Sequence, residues 1–176
     1  SAMESIFALY GLKLFGMTAK QNSAILFLVG IIMVIIQGGA IRHAAKRFGD
    51  RTLLIFGVWG VMAGLALMGI SSSIPMLTFS VAIMAIASGF VAPSLTSLIS
   101  QLSTDEVQGG ILGLNQSMSS LGRIFGPLIG TFLFQYITPR APFFVCALLI
   151  GIALAVILPL ENYVKAHKAI PQEEIS

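Results

Sequence analysis

TLLIFGVWGVMAGLALMGISSSIPMLTFSVAIMAIASGFVAPSLTSLISQL, residues 52–102, contains no charged side chain and no histidine. As a single helix it would reach about 75 Å, against a hydrocarbon core of about 30 Å. It must fold back, and Ser71-Ser72-Ser73-Ile74-Pro75 supplies the break. The stretch reads as two membrane-spanning helices. Every ionisable residue inside an apolar span then becomes a candidate for function, because charge is expensive there.

The rest of the chain agrees. Hydrophobic residues make up 56% and charged residues 10%, where a soluble domain carries roughly 25% charged. The 18 glycines suit a helical membrane bundle, in which small residues let backbones approach. The net charge of +3 does not point to nucleic acid. The basic residues cluster in short segments between spans, where membrane orientation accounts for them. Cys146 is the only cysteine, so no intrachain disulfide and no thiolate metal site can form.

Spans are expected at about 22–41, 52–70, 74–102, 107–137 and 141–160. A basic loop is expected over Arg42–Arg51, and turns at Ser103–Glu106 and Thr138–Arg140. Ser103 or Thr104 is expected to cap the helix that follows, with Asp105 and Glu106 on its positive dipole end. Ser5–Leu12 is apolar and helical but too short to cross, which suggests a chain that begins in mid-membrane. The fold class is therefore an all-α membrane bundle of five full spans and a truncated first helix over 1–160. A polar tail, 161–176, follows. Arg42, Lys46, Arg47, Arg51, Lys165 and Lys168 lie on one side, and Lys13, Lys20 and Arg140 on the other. That asymmetry orients the 42–51 segment and the C-terminus to the cytoplasm.

The tenth basic residue, Arg123, falls inside a span. It is expected to face a wet cavity or a carboxylate, as a substrate or ion-pair residue; the bland alternative is a structural arginine on backbone carbonyls. Asn115, Ser119 and Arg123 are spaced four apart and share one face, which favours a cavity lining over simple helix joining. Glu4 is the one acid expected deep in the membrane, where desolvation favours a carboxyl that exchanges protons near neutral pH. Against that stands a Glu4 that merely sits near a solvated end. Gly57, Gly60 and Gly64, and on the 107–137 helix Gly109, Gly113, Gly122, Gly126 and Gly130, read as packing stripes. Pro93 and Pro127 are expected to bend their helices. Enzyme signatures are missing: His43 and His167 lie in juxtamembrane segments, and Ile86-Ala87-Ser88-Gly89 lacks the first glycine and the histidine of an intramembrane serine protease. No phosphate loop, catalytic residue, metal site or cofactor is expected.

Three stretches carry a family resemblance. They are Gln108-Gly109-Gly110-Ile111-Leu112-Gly113-Leu114-Asn115-Gln116-Ser117 with Leu121-Gly122-Arg123-Ile124-Phe125-Gly126-Pro127-Leu128-Ile129-Gly130, then Gly89-Phe90-Val91-Ala92-Pro93-Ser94-Leu95, then Gln37-Gly38-Gly39 with Lys46-Arg47-Phe48-Gly49-Asp50-Arg51. Over about 3–160 the chain resembles the C-terminal half of a major facilitator superfamily transporter, most closely the drug:proton antiporter branch that includes tetracycline-efflux-like proteins. Arg47, Gly49 and Arg51 match the family's loop motif, whereas Asp50 stands where the motif has Arg, Lys46 where it has Asp, and Arg42 where it has Gly.

The resemblance implies two six-helix halves rocking about a midplane site, with the N-terminal half supplied from outside this sequence. It implies Glu4 as the proton-coupling carboxylate and Asn115, Ser119 and Arg123 as cavity residues. The basic segment would latch the cytoplasmic side, against acids such as Asp105 or Glu106. The partners would be the lipid bilayer, protons and a small amphipathic solute or drug, with no nucleic acid and no cofactor. The location would be the cytoplasmic (inner) membrane. A same-fold symporter or uniporter for sugars or organic acids is the alternative, and a non-transporting structural membrane module a second.

Overall fold

The computed structural model describes residues 2–102 and 105–168, with side chains for residues 7–101 and 107–155. The described residues are helical apart from short turns. Helix α1 spans Ala2–Phe15, α2 Ala19–Ile35, and a π-helical segment Ile36–Ala40. Then come α3 Ile41–Phe48, α4 Asp50–Ile70, α5 Ile74–Leu102, α6 Asp105–Tyr136 and α7 Ala141–Lys168.

Three described helices are long and apolar enough to cross a membrane: the continuous rod Ala19–Phe48, then Asp50–Ile70 and Ile74–Gln101. α7 is apolar over the part whose side chains are described, Ala141–Ala155. At 32 residues α6 exceeds the length needed, but Asn115, Gln116, Arg123 and three serines dilute its apolar content.

Local chemistry sets most boundaries. α1 stops at Gly16, whose φ of 60° turns the chain so that the Met17 N–H donates to the Gly11 carbonyl at 3.1 Å. α2 begins with a capping box. The Gln21 N–H donates to Thr18 Oγ1 at 3.3 Å, and the Thr18 N–H donates to Gln21 Oε1 at 3.0 Å. That box starts the helix three residues before the expected span.

The largest departure from expectation is at Arg42–Arg51, which was expected to be a loop. Residues 41–48 are helical instead and continue α2 through the π segment. Charge ends a membrane span but not a helix. Ala44, Ala45, Lys46 and Arg47 are all good helix formers, and the break waits for Gly49 at φ 77°. Likewise α7 runs on as helix from Glu161 to Lys168. The expected caps Ser103 and Thr104 lie outside the described residues.

α4 and α5 form the most extensive helix pair. Ser71–Ser73 connects them. The Ser71 hydroxyl donates to the Met68 carbonyl at 2.8 Å, and the Ser73 carbonyl accepts from the Leu77 N–H at 2.9 Å. α5 continues unbroken through Pro93, and α6 through Pro127.

The core gathers around that connection. Tyr10, Met68, Leu77 and Phe143 are all but fully buried there. Tyr10 donates to the Met68 carbonyl at 2.9 Å and meets the Phe143 ring edge-on at 4.7 Å. Arg140 donates to the Ser71 carbonyl at 3.4 Å. Lys13 Nζ lies 5.1 Å from the centre of the Phe134 ring, which joins α1 to the end of α6. One end of the bundle is thus a hub that holds α1, α4, α5, α6 and α7.

Candidate functional site

α6 leaves the hub and loses its neighbours. From Gly109 to Phe125 nearly every residue is exposed; Leu112 and Asn115 are half-buried. The four-residue spacing keeps Asn115, Ser119 and Arg123 on one side of the helix, within about 80° of arc. The serines do not join α6 to other helices. Ser117, Ser119 and Ser120 each donate to the carbonyl four residues back, at 2.9 Å. Each hydroxyl thereby satisfies its donor within the helix and leaves its oxygen as an acceptor.

Arg123, expected to face a wet cavity or a carboxylate, is exposed, and among the described residues no acid or carbonyl pairs with it. Residues 116–126 of α6 are all exposed, so no other described helix covers its middle. Of the glycines expected to form packing stripes, Gly57, Gly60 and Gly64 of α4 do pack on α5, whereas most of those on α6 need correction. A Cβ at Gly109, Gly113, Gly122 or Gly126 would meet nothing within 4 Å. Gly122 and Gly126 instead border an apolar crevice of about 270 Å³ against Phe143, Cys146 and Leu149 of α7.

Glu4 lies in the first turn of α1; its side chain is outside the described residues, as are those of Asp105 and Glu106. α1 meets the end of α6 where Lys13 lies over the Phe134 ring; Glu4 precedes Lys13 by nine residues and Arg123 precedes Phe134 by eleven.

The loop motif resolves into distinct roles. Gly49 takes the left-handed φ that separates α3 from α4. Asp50 occupies the first turn of α4, where the helix dipole favours an anion. Its Oδ2 accepts from Ser97 Oγ at 2.6 Å and Gln101 Nε2 at 2.8 Å, and Gln101 also donates to Ser97 Oγ at 2.9 Å. The acid at a motif position that is usually basic therefore clamps α4 to the end of α5. Arg47 lies over the Phe48 ring, 5.6 Å from its centre. Arg51 is exposed in the first turn of α4.

Sequence reading missed this clamp, because Ser97 and Gln101 sat within a run read only for its lack of charge. Their i, i+4 spacing near a span end was the available signal. A groove of about 720 Å³ lies beside the clamp, between Gln37 of the π segment and Pro93, Thr96 and Ser97 of α5. No group of three or more His, Cys, Asp or Glu that could hold a metal occurs among the described residues.

Known proteins with similar sequences place this architecture. The chain is 29% identical over 136 residues to multidrug resistance protein 2 of Bacillus subtilis, covering 77% of this chain and 34% of that protein. It is 28% identical over 169 residues to multidrug resistance protein 1 of the same organism, covering 94% and 43%. It is 26% identical over 130 residues to the class C tetracycline resistance protein of Escherichia coli, covering 74% and 33%. The chain thus spans about a third to two fifths of the length of these curated relatives. No solved structure matches it. The sequence profile of the Major Facilitator Superfamily matches residues 1–175, nearly the whole chain. Together with the long apolar helices, that match means the chain belongs to the Major Facilitator Superfamily of membrane transporters.

Proposed function

We propose that this chain acts as the C-terminal half of a secondary transporter that expels small amphipathic molecules in exchange for protons. The observation that carries the reading is the middle of α6. It presents Asn115, Ser119 and Arg123 on one face, with no partner from another helix among the described residues. Such a face in a membrane is costly against lipid and tolerable against a wet cavity. A second half, packed opposite, would enclose that cavity. The names of the relatives, multidrug and tetracycline resistance proteins, support drug-like solutes.

Glu4 would bind and release the proton. Protonation of Glu4 would free Arg123 or a cationic solute. The drive available is about 1.4 kcal/mol per pH unit, and about 2.3 kcal/mol per charge per 100 mV. Alternating access follows if protonated and solute-bound forms prefer opposite openings. The protein would lie in the cytoplasmic membrane, with the 42–51 segment and the C-terminus inside, as the six-to-three split of basic residues suggests.

The test is flux in proteoliposomes, with this chain alone and with a separately expressed N-terminal half. Gradient-driven, saturable flux of a cationic amphipathic dye is expected only with both halves, and Glu4→Gln should abolish it. Saturable flux from a demonstrated monomer of this chain, or undiminished proton-coupled flux in Glu4→Gln, contradicts the reading.

A further inference from the structure

The rod Ala19–Phe48 has 30 residues, about 45 Å of helix, and exceeds the hydrocarbon thickness by about 15 Å. Its last turns, which form α3, therefore stand in the headgroup layer. There the helix is two-sided. Arg42, His43, Lys46 and Arg47 are exposed and fall within an arc of about 140°. Ile41, Ala44 and Ala45 fill the opposite side and are half-buried.

Among the described side chains, none nearby neutralises that basic face. Asp50 is the only acid between Glu4 and Asp105. Its Oδ2 is committed to Ser97 and Gln101 of α5. Among the described residues no carboxylate pairs with Arg42, Lys46 or Arg47. Phe48 is 57% exposed beside Arg47.

We propose that this face of α3 binds the phosphates of anionic phospholipids in the adjacent leaflet. Charge complementarity selects the occupant, and the continuous helix fixes it at headgroup depth. Arg42, Lys46 and Arg47 supply the cations, each enriching anionic lipid by roughly fivefold at low salt. The inference rests on the membrane fold and is independent of the transport reading.

The test uses the full chain carrying Phe48→Trp and Trp59→Phe, in phosphatidylcholine vesicles. Brominated phosphatidylglycerol is added as a minor component, and brominated phosphatidylcholine at the same fraction is the control. The anionic quencher should be several-fold more effective. The advantage should shrink at high salt and vanish in Arg42→Gln/Lys46→Gln/Arg47→Gln. Equal quenching by the two lipids, or an advantage that survives the triple substitution, overturns the proposal. So does loss of the advantage to millimolar soluble glycerol phosphate, which would mark a free-phosphate site. Native mass spectrometry provides a second readout without the Trp substitutions. The unsubstituted chain should retain more copurified anionic lipid than the triple variant, and equal retention also overturns the proposal.

Discussion

α4 and α6 both carry glycines at helical spacing, and they use them in opposite ways. A Cβ at Gly60 would come within 2.6 Å of Ala87 Cβ. One at Gly64 would fall 2.8 Å from Met84 Cβ, and one at Gly57 2.9 Å from the Ala87 carbonyl. Those glycines are required because α5 lies directly on them. On α6 the same residue type faces open space at Gly109, Gly113, Gly122 and Gly126. Glycine states that a close approach is possible and says nothing about who approaches. α4 with α5 makes a spine completed within this chain, whereas α6 is a wall whose covering surface is not supplied by the described helices.

The contrast can be broken most sharply at Gly60. Gly60→Val forces methyls into Ala87 and should cost about 3 kcal/mol by overpacking, read as a lowered unfolding midpoint in detergent. A change near zero would mean that α5 does not rest on α4 as described. The polar end of the spine comes next. Asp50→Ala removes two hydrogen bonds from a charged acceptor and should cost about 2 kcal/mol locally. Faster hydrogen exchange confined to the last two turns of α5 is the expected sign. Tyr10→Phe keeps the ring in the hub but removes the Tyr10 donor from the Met68 carbonyl, which keeps the Ser71 hydroxyl and N–H, at about 1 kcal/mol. The smallest effect should carry the opposite sign. Gly113→Ala meets no neighbour and improves helix propensity, so it should leave α6 unchanged or stabilise it by up to about 1 kcal/mol. A marked loss of stability there would reveal a contact on α6 and blur the distinction.

The same contrast explains what could be read from the sequence. The absence of charge over 52–102 was enough to place α4, the serine turn and α5, because the bilayer penalises charge everywhere in a span. Asn115, Ser119 and Arg123 could be put on one face because helical spacing is local. Their surroundings could not, since burial of α6 depends on elements far along the chain. The hub escaped notice for that reason too: Tyr10, Met68, Ser71 and Arg140 are distant in sequence and individually ordinary. The basic segment was misjudged because its charges mark the membrane boundary, while the helix beneath them ends only at Gly49.

The central claim is that the middle of α6 lines a water-filled cavity rather than facing lipid. Ser119→Cys in a Cys146→Ser background tests it in membranes that also contain the N-terminal half. A charged, membrane-impermeant maleimide should label the introduced thiol readily, and a transported solute should slow the reaction. Labelling only by a lipophilic reagent, unaffected by solute, would put this face against lipid and contradict the account.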